Sequence, residues 1–155
     1  MKEDRYEHVD ELLGAFQQFS KMNWQKLTMF GLKPSEIRVL ITIRLRNTKA
    51  DKQVLTVSEI SKLLKVTSPT ITQMVNSLLS QGFVVRTSDS QDRRISSIVL
   101  TEKGELLADK AVAKIREMFK GMVDYLGQEQ SETLIDLLNR VHAYFEQIQD
   151  QPDGY

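Results

Sequence analysis

The chemistry open to this chain is concentrated between residues 68 and 94. At 100° per residue, Ile71, Val75 and Leu78 fall on one side of a helix, while Pro69, Thr70, Gln73, Asn76 and Ser80 fall on the other, with Thr72 at the border. Gln and Asn can bond bidentately to the N6/N7 edge of adenine, and Thr can hydrogen-bond a base or touch a thymine methyl. No carboxylate on this face would repel phosphate, so it suits the base edges of a major groove. Ser68, at the start of the same helix, joins the set by geometry. Two adjacent cations, Arg93 and Arg94, follow in a polar segment, where they suit a neighbouring groove. Taken alone, the polar face also fits the solvated side of a core helix. The flanking elements decide between the two.

Those elements read as a helix pair followed by a hairpin. Thr56, three residues ahead of Glu59, forms a capping box for a short helix with Val57, Ile60, Leu63 and Leu64 inward. The next helix begins almost at once, with Ser68 expected as N-cap, Pro69 at the first helical position and Gly82 at its end. Phe83–Thr87 and Ile95–Leu100 carry the β-branched and aromatic residues of two strands, joined by the polar loop Ser88–Arg93. Upstream, an amphipathic helix runs from Tyr6 toward Gly31 with Val9, Leu12, Leu13, Phe16, Phe19, Trp24 and Leu27 on its apolar face. A second helix starts at Pro34 and buries Ile37, Leu40, Ile41 and Leu45, stopping near the polar run Asn47–Gln53. Downstream, Thr101 caps a long helix carrying Leu106, Leu107, Ala111, Ile115, Phe119 and Val123 until Gly127. A last helix holds Leu134, Leu137, Leu138, Val141 and Phe145, and 149–155 form a frayed tail. The terminal helices hold more apolar residues than a small winged module needs, which points to a helical dimer interface.

Size and composition narrow the function further. With 155 residues, the chain has room for one compact module plus helices that pair it with a copy of itself. Charge is balanced, 21 basic against 21 acidic, which excludes a cationic coat or a long basic arm, so any nucleic-acid site is local. Cysteine is absent, which removes disulfides, thiolate redox sensing and Cys-ligated zinc. The N-terminus lacks an apolar signal core and no window approaches a membrane span, so the expectation is a soluble cytoplasmic protein without a membrane partner.

With the helix pair and hairpin in place, three segments resemble the MarR family of bacterial transcription regulators: SPTITQMVNSLLSQGFVVR, then DRRISSIVLT, then EKG. The likeness spans nearly the whole chain. An Asp-Arg-Arg wing, a strand ending in Leu-Thr and a Gly three residues after that Thr form a specific signature downstream of such a helix pair. The resemblance implies a mainly α fold: a winged helix-turn-helix over 34–101, with the helix-turn-helix at 56–81 and a two-stranded wing at 83–100. Helices 5–32 and 102–148 would form the dimerisation region of a single domain over 5–148. It further implies a homodimer on double-stranded DNA, with Pro69, Thr70 and Gln73 at major-groove positions. Arg94 would be the wing arginine of the minor groove, and Asp92 a carboxylate bracing the wing. Arg86 also matches the family pattern, either bracing the wing or reaching phosphate. Two departures bear on base preference: the loop TSDSQ lacks the proline often found there, and Gln73 stands where many members have Arg.

Other chemistries are weaker. Family members often bind a small aromatic or phenolic effector in a cleft beside the dimer helices. Phe16, Phe19, Trp24, Met29 and Phe30 are candidates to line one, but aromatic residues at helical spacing more often form core or interface. No effector residue is assigned, and no cofactor is expected. His8 and His142 lie on the terminal helices, yet zinc wants three or more protein ligands and no others can be singled out, so no metal site is expected. The Ser/Thr cluster at 67–72 has no histidine base near it, and no phosphate-cradling Gly loop occurs, so the chain is not expected to be an enzyme. The reading is a DNA-binding regulator, by default a repressor. The alternative is a helical protein-interaction module that keeps the winged scaffold.

Overall fold

The computed structural model describes residues 6–22, 29–47, 54–88 and 96–149. Its elements run α1 (Val9–Ser20), α2 (Pro34–Arg46), β1 (Leu55–Thr56), α3 (Val57–Leu64), α4 (Ser68–Ser80), β2 (Val84–Ser88), β3 (Ser96–Leu100), α5 (Glu102–Leu126) and α6 (Gln128–Gln149). The mainly helical class and the winged pattern agree with the sequence reading. The chain divides into two units, 1–111 and 112–155, within α5. Leu107, Ala108 and Ala111 of α5 join the core of the first unit, and Gly104 is buried beside them.

That core is built from one face of each short helix and the sheet. Ile60 of α3, Ile71, Val75 and Leu78 of α4, and Ile98 of β3 are fully buried, with Val39, Leu40 and Ile43 of α2 packed among them. Each such side chain contributes about 1.5–3 kcal/mol of burial. Leu45, expected inward, is exposed, and Val39 and Ile43 are buried in its place. At 100° per residue Leu45 lies about 80° past Ile37, on the side away from Val39 and Ile43. On α3, Leu63 is likewise exposed, while Val57 and Leu64 are half-buried. α1 ends at Ser20, whose hydroxyl donates to the Gln17 carbonyl at 2.9 Å. Trp24 and Leu27, expected on the same helix, lie outside the described residues.

The wing belongs to a three-stranded antiparallel sheet of order β1-β3-β2, not to an isolated pair. β2 and β3 pair from Val84↔Leu100 to Ser88↔Ser96, and β1 adds Leu55↔Ile98 and Thr56↔Ser97 on the other edge of β3. β1 stops after two residues because Thr56 turns into the N-cap of α3. There the Thr56 hydroxyl accepts from the Glu59 N–H at 3.2 Å, and the Thr56 N–H donates to Glu59 Oε2 at 2.7 Å. Along β2 only Val84 is buried, so the strand leaves the core as it proceeds.

The second unit holds the rest of α5 and α6. Gly127 alone separates the two helices, at φ +80°, with its N–H bonded to the Val123 carbonyl at 2.8 Å and its own carbonyl accepting from the Ser131 hydroxyl at 2.7 Å. α6 continues through Gln149, which the sequence pattern assigned to the tail; the breakers Pro152 and Gly154 come only later. Residues 150–155 lie outside the described residues. Most apolar side chains of α6 remain exposed, including Ile135, Leu137, Leu138 and Phe145, and α1 buries none of its residues. No described helix is long and apolar enough to cross a membrane.

Candidate nucleic-acid interface

A tight turn presents α4. Lys65 closes α3 in the left-handed conformation at φ 53°, the Val66 N–H returns to the Ser61 carbonyl at 3.1 Å, and the Ser61 hydroxyl donates to the Val66 carbonyl. The first helical bond of α4 runs from the Ile71 N–H to the Thr67 carbonyl at 3.1 Å. Thr67, not Ser68, is therefore the N-cap, and Ser68 and Pro69 occupy the first two helical positions. Both residue types cap well, which is why spacing alone misplaced the start by one.

The phase of α4 is the one read from the sequence. Ile71, Val75 and Leu78 are buried, Ser68, Pro69, Gln73, Asn76 and Ser80 are exposed, and Thr70 and Thr72 are half-buried. Local bonds already occupy some of the hydroxyls. Thr72 donates to the Ser68 carbonyl at 2.9 Å, and the hydroxyls of Thr67 and Thr70 share a 2.8 Å bond. Gln73 is the exposed residue of this face with the longest reach and two donors. The first turn carries no acidic residue, so the partial positive charge of the helix N-terminus is left available to an anion.

Arg86, on β2, points back to this helix. Its Nη2 donates to Asn76 Oδ1 at 3.4 Å, a long bond between two exposed side chains that ties strand to helix. Asn76 thus faces the strand as well as solvent. The last described pair of the hairpin is Ser88↔Ser96, and Asp92, Arg93 and Arg94 lie outside the described residues.

Two charged arrangements hold the module. Arg44 of α2 forms a bidentate pair with Asp109 of α5, Nε to Oδ1 at 2.8 Å and Nη2 to Oδ2 at 3.2 Å. The bond to Asp109 raises the Arg44 pKa, so this cation is committed to structure. The Thr56 N–H holds the Glu59 carboxyl below the usual range, with the Thr56 hydroxyl adding to the effect.

A third arrangement joins the end of α4 to the start of α5. Gly82 sits at φ +74°, its N–H bonds the Leu79 carbonyl at 3.1 Å, and the Phe83 N–H bonds the Leu78 carbonyl at 3.0 Å, which is a Schellman motif. α5 then grips this turn. The Thr101 hydroxyl donates to the Gly82 carbonyl at 2.7 Å, the Thr101 N–H donates to the Phe83 carbonyl at 3.1 Å, and Thr101 Oγ1 accepts the Gly104 N–H at 3.1 Å. The Lys103 ammonium donates to the Gln81 carbonyl at 2.9 Å and lies 4.4 Å from the centroid of the Phe83 ring. A Cβ at position 104 would fall on the Phe83 carbonyl oxygen. The Thr-Glu-Lys-Gly run was legible as a motif; its contact with the α4 terminus was not.

The residues considered for an effector cleft differ in burial. Met29 is in the core of the first unit, Phe16, Phe19 and Phe30 are exposed, and Trp24 lies outside the described residues. His8 pairs with Glu11 at 3.2 Å and His142 with Glu146 at 3.5 Å, each within its own helix or at its start. Among the described residues, no group of three His, Asp or Glu is placed to hold a metal.

The comparisons with known proteins agree with this architecture. The sequence model of the MarR family matches residues 30–95. An uncharacterised HTH-type transcriptional regulator of Bacillus cereus is 29% identical over 136 residues, covering 87% of this chain and 86% of that protein. The HTH-type transcriptional regulator PrsX of Escherichia coli is 30% identical over 134 residues, covering 86% and 69%. The crystal structure of Streptococcus pneumoniae FabT in complex with DNA has the same fold, with a TM-score of 0.70 at 23% identity over 92% of this chain and 99% of that one. The chain belongs to the MarR family. It is a transcription regulator, not an enzyme.

Proposed function

We propose that the protein binds DNA as a homodimer and represses transcription by occupying a pseudo-palindromic operator whose half-sites lie about one helical turn apart. The observation that carries this reading is the face of α4. Exposed Ser68, Pro69, Gln73 and Asn76, with half-buried Thr70, stand opposite fully buried Ile71, Val75 and Leu78, with no acid in the first turn. Gln73 reads a base edge, and Ser68, Pro69 and Thr70 approach the groove from the helix start. Arg86 braces Asn76 instead of reaching phosphate, Arg93 and Arg94 supply the wing cations, and Asp92 braces them. The exposed apolar faces of α1 and α6 support pairing with a second copy. The DNA complex of FabT, a protein of the same fold, supports the choice of partner.

The test is a fluorescence-anisotropy titration with mixed-sequence duplex, followed by selection from random duplexes. If the dimer neutralises about 6–10 phosphates, affinity falls on the order of 10³–10⁵ between about 50 and 200 mM salt. Gln73→Ala is expected to relax preference at one position per half-site at about 1–3 kcal/mol, while Arg94→Ala weakens binding to all sequences and lowers the salt slope by about 1. An unchanged selected motif for Gln73→Ala removes that residue from direct readout. Absence of binding at micromolar protein and low salt overturns DNA recognition and favours a protein partner.

A further inference from the structure

The contacts between α5 and the α4 terminus go beyond what is needed to start a helix. Thr101 alone caps α5, through the Gly104 N–H. The chain adds Lys103, whose ammonium is placed on two acceptors of positive charge at once: the C-terminal carbonyl of Gln81 and the face of the Phe83 ring. It also adds Gly104, where the absence of a Cβ lets the α5 backbone close on the Phe83 carbonyl. Lys103 reaches the C-cap of the reading helix, and the simplest alternative is that it binds phosphate.

We propose that Lys103 and Gly104 are positioning residues that fix the reading helix relative to α5, and that they thereby set the half-site spacing the dimer accepts. This rests on the dimeric DNA-binding reading above. α4 is held at its C-terminal end by the Schellman turn, and that turn is held by three side-chain or backbone bonds from Thr101 and Lys103. α5 itself runs from Glu102 to Leu126. In a symmetric dimer, a loosened hold on α4 acts twice, once per half-site, and appears as tolerance of altered spacing.

The experiment measures affinity for duplexes whose half-sites are moved apart or together one base pair at a time, across a salt series. Wild type, Lys103→Met, Lys103→Arg and Gly104→Ala are compared, with thermal melting of each as a control. Wild type is expected to show one preferred spacing. Lys103→Met keeps the aliphatic stem and loses the cation, and its preference for that spacing over its neighbours is expected to fall roughly tenfold. Its salt slope stays at the wild-type value, and Lys103→Arg restores the preference. Gly104→Ala shows the same loss; if it does not fold, the two Lys103 variants carry the test alone. A salt slope lowered by about 0.9 per site with unchanged spacing preference makes Lys103 a phosphate contact and overturns the proposal. Unchanged slope and unchanged spacing preference overturn it as well. Failure of the wild type to bind any duplex is a different outcome, which removes the DNA-binding reading and this inference with it.

Discussion

The core of the first unit and helix α6 of the second spend their apolar residues differently. In the first, Leu78 is 0% exposed and the inward faces of α2, α3, α4 and the sheet close on one another. In the second, Leu138 is 53% exposed and Ser131 is the buried residue of α6. Hydrophobic content is similar in kind; what differs is how much of it is buried. The helix-turn-helix and wing have the core of a self-sufficient domain. α6 of the second unit, and α1 of the first, have amphipathic faces whose apolar residues are mostly exposed among the described residues. Stability of the first region is therefore an internal property, whereas stability of the second should depend on protein concentration.

The largest effect comes from attacking each region at its own kind of site. Leu78→Ala is expected to cost about 2–5 kcal/mol, because the neighbours of a fully buried leucine relax only partly into the cavity. Leu138→Asp should leave that core intact and abolish self-association. Chemical denaturation at two concentrations about a hundredfold apart separates the two. Leu78→Ala lowers both midpoints and keeps the wild-type dependence on concentration. Leu138→Asp loses the dependence. A wild-type midpoint that does not move with concentration breaks the comparison.

Two glycines sharpen it at smaller scale. Gly82 has φ +74°, with nothing within 4 Å of an added Cβ, so Gly82→Ala costs only conformational strain, about 1–2 kcal/mol. Gly121, inside α5 in the second unit, also has open space around its Cβ and a helical backbone, so Gly121→Ala is expected to stabilise by about 0.5–1 kcal/mol. Thermal unfolding checks both. A destabilised Gly121→Ala identifies a backbone approached by the partner copy, which makes this region tighter than its exposed leucines suggest.

What the sequence disclosed follows the same division. The short helices of the module were legible because each announces itself locally, α3 through Thr56 and Glu59, α4 through its phase and through Gly82. The error at Thr67 came from two adjacent residues of equal capping ability. β1 was invisible because two residues carry no period, and its only signal is the pairing Leu55↔Ile98 with a strand more than forty residues away in sequence. The role of Lys103 was not legible, since its acceptor, the Gln81 carbonyl, is 22 residues back. Asn76 was placed on the correct face, but its bond to Arg86 depends on how the strand returns beside the helix. Helical periodicity found the apolar residues of α1 and α6; it could not say which of them are exposed.

The smallest effect concerns the depressed Glu59 carboxyl in the capping box of α3. Glu59 accepts from the Thr56 N–H and hydroxyl, and these bonds hold its pKa below the usual range. An unfolded glutamate titrates near 4.3, so above that value the charged form stabilises the fold. As pH falls from about 4.3 through the lower folded value, the unfolded chain takes up the proton first and the contribution is lost. Because Glu59 is exposed, solvent screens the effect to on the order of a few tenths of a kcal/mol. Glu59→Gln keeps an acceptor for the Thr56 N–H but cannot titrate. Denaturation midpoints followed from about pH 6 to about pH 3 should therefore fall more steeply for wild type than for Glu59→Gln. Parallel curves mean that the Thr56–Glu59 box contributes no charge-dependent stability, leaving its uncharged cap bonds and the core around Ile60 to hold α3.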